Sequence, residues 1–141
     1  MTIKDEQAEA YIEEANLSIE SGQAALEKGR AEGKELWNSV VKSSYDAIEQ
    51  AISALLAKEG FDIPKSHPGK VEKFVNEFGE SEITQKAYKW LSKRSKSQYV
   101  DVERGEVVVP HENFNEMDAV DSLEDARFVV ERVEKKLSHL D

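Results

Sequence analysis

Ala8, Ile12, Ala15, Ile19, Gly22 and Leu26 recur at spacings of three and four, the repeat of one face of an α-helix. The same spacing, not the alternation of a strand, runs through nearly the whole chain. It predicts a first helix over residues 4–31, with Gly29 and Gly33 at its end. A second is predicted over 34–59, with Trp37, Val40, Val41, Ala47, Ile48, Ala51, Ala54 and Leu55 inward. Small residues at Ser44, Ala47 and Ala51 let another helix approach closely. Gly60 stops this helix, and Pro64 and Pro68 make the next stretch a connector. A short third helix follows over 69–78, carrying Val71, Phe74, Val75 and Phe78. The fourth is predicted over 82–101. Residues 102–114 read as irregular or as a short extended piece. Asn115 can cap a fifth helix over 116–139, with Ala119, Leu123, Ala126, Val130, Val133 and Leu137 inward. Short connections imply antiparallel neighbours. The expected fold class is all-α, an up-and-down antiparallel helical bundle of about five helices in a single domain, 1–141.

Several function classes fall away. The chain has no cysteine, which removes disulfides, thiolate metal sites and a thiol nucleophile. His67, His111 and His139 are far apart and lack ligand spacing, and no Glu-x-x-His helix motif is present, so no metal is expected. No phosphate-binding glycine loop, dinucleotide fingerprint or nucleophile elbow occurs, and no cofactor is expected. The charged N-terminus and the absence of a membrane-length apolar run lead to an expected cytoplasmic, soluble protein without a membrane partner. Acidic pairs such as Glu13 with Glu14 and Glu131 with Glu134 read as solvated helix surface.

One window departs from the acidic background. Five of the chain's 19 bases, and none of its 29 acids, fall between Ile83 and Val100, although the net charge is −10. Such a strip points to an anionic partner. At helical phase Lys86, Lys89, Lys93 and Lys96 share one face, while Arg94 falls with Ile83, Ala87, Trp90 and Leu91. An arginine on an apolar face needs a carboxylate, a phosphate or a set of carbonyls to meet it. Two readings stand side by side. Arg94 is an internal ion-pair partner, or its guanidinium grips a phosphate while Tyr99 offers a hydroxyl or a stacking face. Gln98, one turn on, makes that end of the helix polar. His67 is a capping or packing residue, or an acid–base group if the fourth helix brings Arg94 near it.

Three segments together resemble the HEPN domain family. They are Ser44-Tyr45-Asp46-Ala47-Ile48-Glu49-Gln50-Ala51 with Ala54-Leu55-Leu56, then Lys65-Ser66-His67-Pro68-Gly69-Lys70-Val71 with Phe74 and Phe78, then Leu91 through Tyr99. The last resembles the helix-4 motif of a small archaeal and bacterial branch, an Arg followed by Lys-Ala-Asp-Tyr. Here Arg94 and Ser95 are followed by Lys96-Ser97-Gln98-Tyr99. The resemblance covers residues 5–138. It implies a helical bundle that is often a homodimer. It implies either a metal-independent ribonuclease, the toxin of a toxin–antitoxin pair whose partner is a minimal nucleotidyltransferase, or a non-catalytic RNA- or nucleotide-binding module. The nuclease members follow the Arg with a His. Tyr99 stands in that place. A tyrosine, with an ordinary pKa of about 10, is a poor base at neutral pH. An arginine can stabilise a phosphorane but cannot exchange protons. The expectation is therefore a binding module with Arg94, Tyr99, Gln98, Lys93 and Lys96 at its groove. Its alternatives are a ribonuclease in which His67 or Tyr99 assists Arg94, and a structural interaction module.

Overall fold

In a computed structural model that describes residues 1–140, the chain is an all-α bundle. Its helices are α1 (Ile3–Glu32), α2 (Trp37–Lys58), α3 (His67–Phe78), α4 (Ser81–Arg94) and α5 (Glu116–His139). The organising element is α2. Its residues from Ala51 to Ala57 are all buried, as are Val40, Val41, Tyr45 and Ile48. A helix buried over so much of its length has to be surrounded, and α2 touches each of the other four helices. Where α5 crosses it the small residues meet, and the Ser122 hydroxyl donates to Ser44 Oγ at 3.1 Å. Trp90, Phe74, Ile83 and Val129 complete the same core from α4, α3 and α5.

Helix ends follow local chemistry. Thr2 with Asp5, and Asn115 with Asp118, form reciprocal capping boxes at the starts of α1 and α5. The third helix begins two residues earlier than the spacing predicts. Ser66 Oγ accepts from the Gly69 N–H at 3.0 Å, which caps a first turn containing Pro68. A Cβ at Gly69 would stand 2.6 Å from that Ser66 oxygen, so the cap requires glycine. The second helix begins at Trp37, three residues later than predicted, because Lys34–Leu36 form the bend after α1.

The fourth helix corrects the sequence reading most. It ends at Arg94 instead of 101 and tightens into a 3₁₀ turn, Ser95–Ser97. Serine hydroxyls compete for the helix carbonyls here. Ser97 Oγ donates to Arg94 O at 2.6 Å, and Ser92 Oγ to Lys89 O at 2.8 Å. Beyond it lies a hairpin of β1 (Asp101–Glu103) and β2 (Glu106–Val108), antiparallel, with Val102 opposite Val107. Arg104 and Gly105, at φ 51° and 79°, make its two-residue turn. A second 3₁₀ turn, Pro110–Glu112, leads into α5. No helix of the described residues is long and apolar enough to cross a membrane.

Candidate anion-binding site

The start of α3 lies against the middle of α2, and three polar side chains gather there around one carboxylate. Glu49 is buried, four residues beyond Tyr45 on the inward face of α2. The Tyr45 hydroxyl donates to Glu49 Oε2 at 2.8 Å. His67 Nδ1 lies 2.6 Å from the same oxygen, and Lys70 Nζ donates to Oε1 at 3.0 Å. Burial opposes the charge on Glu49, but the hydrogen bonds from His67, Lys70 and Tyr45 outweigh it and hold its carboxyl below the ordinary range. An ionised carboxylate only accepts, so the proton of this contact sits on His67 Nδ1. In the neutral ring Nε2 is then the lone-pair nitrogen, and it has no partner among the described residues. The imidazole stands edge-on to the Tyr45 ring, with centroids 6.2 Å apart.

Arg94 is the last residue of α4. Burial and the neighbouring Glu49 charge push the Tyr45 phenol up, and the Arg94 charge pulls it back. No acid among the described residues lies within ion-pair distance of Arg94, and its buried Nε has no hydrogen-bond partner. The internal ion pair anticipated as one of its two roles does not form. Its terminal nitrogens meet Gln98 instead. With the amide oxygen turned toward them, Gln98 accepts from Nη2 at 3.0 Å and Nη1 at 3.3 Å. A neutral amide leaves the positive charge uncancelled.

The structure thus joins Arg94 and Gln98, and the Arg94 charge is felt at Tyr45. It does not bring Tyr99 to them. Tyr99 is 60% exposed and lines a separate hollow of about 300 Å³ between the Ser95–Ser97 turn and the hairpin, of which Arg94 is not a wall. Lys96 lies 3.8 Å from Glu103. Lys93 and Lys89 sit over the Trp90 ring, at 5.0 and 4.7 Å. Lys86 pairs with Asp125 of α5 at 3.1 Å, and Trp90 Nε1 donates to that carboxylate at 2.8 Å. Part of the lysine face is therefore the seam between α4 and α5 and not open surface. Sequence reasoning missed Glu49 as an anchor, and with it Lys70. The signal was available: Glu49 shares the Val41, Tyr45 and Ile52 face, the argument used for Arg94.

Among the described residues no three His, Asp or Glu side chains converge as metal ligands. The HEPN domain family model matches residues 6–136 of the 141-residue chain. The chain belongs to the HEPN domain family. No curated protein matches it.

Proposed function

We infer that this HEPN domain binds RNA or a nucleotide through phosphate, at the junction of α2, α3 and α4. The observation that carries this is the unpaired guanidinium of Arg94, with a buried Nε lacking any partner and only a neutral amide at its tip. Phosphate fits such a fork by paired, charge-assisted hydrogen bonds. Glu49 is already engaged by three donors, so it does not compete for Arg94. The reading also takes the protein as a homodimer. It takes a minimal nucleotidyltransferase as the partner in a toxin–antitoxin-like pair, which rests on the family resemblance alone.

The Glu49–His67 contact favours a second reading, metal-independent RNA cleavage. Glu49 fixes the ring and leaves Nε2 able to take the proton of a ribose 2′-hydroxyl as that oxygen attacks phosphorus; the P–O5′ bond breaks, the 5′-oxygen takes a proton from water, and Arg94 bears on the phosphorane oxygens. One experiment addresses both. A short labelled RNA is titrated into wild type and Arg94→Ala with a chelator present, and the RNA is then run on a gel. The binding reading expects saturable binding by wild type, lost in Arg94→Ala, with the RNA intact. Products ending in 2′,3′-cyclic phosphate that vanish in His67→Ala would establish cleavage. Equal binding by wild type and Arg94→Ala would remove the Arg94 site.

A further inference from the structure

The hollow between the Ser95–Ser97 turn and the hairpin differs in kind from the Arg94 fork. It holds about 300 Å³, the small end of the range for a bound ligand. Its walls carry one aromatic ring, Tyr99, and two carboxylates, Asp101 and Glu103. Tyr99 is 60% exposed, and its hydroxyl has no hydrogen-bond partner among the described residues. Carboxylates repel phosphate, so the hollow excludes the charged part of a nucleotide. What it can admit is a planar, uncharged ring with hydrogen-bond donors on its edge.

The acceptors on these walls are unequal. Glu103 lies 3.8 Å from Lys96, which partly meets its charge. Asp101 has no cation within ion-pair distance among the described residues. Its Oδ1 accepts from the Val102 N–H at 2.8 Å, which fixes the side chain, and its Oδ2 accepts from no described residue. Asn113 donates through Nδ2 to Lys96 O at 3.0 Å, so its Oδ1 stays on the wall as a further acceptor. Of the four RNA bases, guanine alone sets two N–H donors side by side on its Watson–Crick edge, at N1 and N2. Adenine and cytosine set a donor beside an acceptor, and uracil has one donor between two acceptors. An ionised carboxylate only accepts, so guanine is the base it can hold with both oxygens.

We propose that this hollow is a guanine subsite for single-stranded RNA, with the base stacked on Tyr99 and its N1–H and N2–H donating to the Asp101 carboxylate. This deepens the phosphate reading above and rests on it. Ser95 and Tyr99 directly follow Arg94 and Gln98 in the chain, so the fork and the hollow are built on one turn. Neighbouring Cα atoms stand about 3.8 Å apart. One strand can therefore set a phosphate at the fork and a base in the hollow. The two contacts divide the work: phosphate gives affinity without sequence information, and the base edge gives specificity. Only an unpaired base has both its face and its Watson–Crick edge free for this, so the substrate class is single-stranded.

The test is the affinity of labelled oligouridine RNAs that differ at one central base, measured by fluorescence anisotropy with a chelator present. The central base is guanine, hypoxanthine or uracil. Hypoxanthine keeps the N1–H and lacks the 2-amino group. Wild type is expected to bind the guanine RNA roughly 10-fold more tightly than the uracil RNA, with hypoxanthine between them. Asp101→Asn keeps an acceptor for the Val102 N–H and removes the charge. It is expected to bring the guanine RNA down to the affinity of the uracil RNA, with helical content unchanged by circular dichroism. Tyr99→Ala is expected to weaken the guanine RNA roughly 5- to 10-fold. If wild type binds the three RNAs equally and Arg94→Ala loses all of them, the guanine subsite is wrong and the phosphate reading stands. A guanine preference that survives Asp101→Asn also removes the subsite. If wild type binds none of the three, both the subsite and the phosphate reading fall.

Discussion

Two half-buried arginines bracket α4, and they are used in opposite ways. At its start, Arg132 of α5 lies 3.5 Å from Glu80 and 3.7 Å from Glu82, with its guanidinium 4.8 Å from the Phe128 ring. Its charge is met and its flat face is covered, so it pins α5 to α4. At the end of the helix, Arg94 has no acid, one neutral amide and a buried Nε without a partner. Glu49, the buried carboxylate of α2, is bound by Tyr45, His67 and Lys70. With acids in reach, Arg132 ties two helices together; Arg94, without one, is the group to which the proposed function gives the anion.

The largest effect in this comparison is expected at Glu49. Glu49→Ala leaves Lys70 without its counter-charge and the buried Tyr45 hydroxyl without its acceptor. By denaturant titration it is expected to cost about 3–5 kcal/mol. A cost below about 1 kcal/mol, the range of an exposed pair, would mean that Glu49 does not organise the site.

A pH series sharpens the same point. The folded-state carboxyl of Glu49 is held below its unfolded value. Its contribution is therefore complete above the ordinary glutamate pKa of about 4.3 and is lost as pH falls through the lower folded value. Wild type is expected to lose stability over that acid window, and Glu49→Gln is expected to lose less. Parallel curves would contradict the assignment.

The smallest effect is expected at the other arginine. Arg132 is about a third exposed, and its pairs are long. Arg132→Ala is expected to cost at most about 1 kcal/mol in thermal unfolding.

The helices were legible because burial imposes its period on the sequence. Every apolar stripe named from spacing lies on a helix, and α2, with the longest run of buried residues, is the central one. The end of α4 was not legible. Helical phase continues through Lys96 and Tyr99, but serine hydroxyls take the carbonyls of Lys89 and Arg94, and propensity at that scale is invisible to an apolar count. The site was half legible. Arg94 stood out as a cation on an apolar face, whereas Glu49 was named only within the helix-2 segment and not as an anion on an apolar face. Lys70 was beyond reach, because its role depends on where the α3 start meets α2. Tyr99 was placed beside Arg94 by linear proximity, and the 3₁₀ turn carries it to the hairpin side.

The central claim is that Arg94 is the receptor and Arg132 the rivet. The direct measurement is the shift in melting temperature caused by a saturating short RNA oligonucleotide in wild type, Arg94→Ala and Arg132→Ala. The account predicts a clear upward shift in wild type, the same shift in Arg132→Ala from a slightly lower baseline, and none in Arg94→Ala, whose own baseline moves little. A steep fall in the Arg94→Ala baseline, with no RNA-induced shift in wild type, would contradict it and make Arg94 a structural residue.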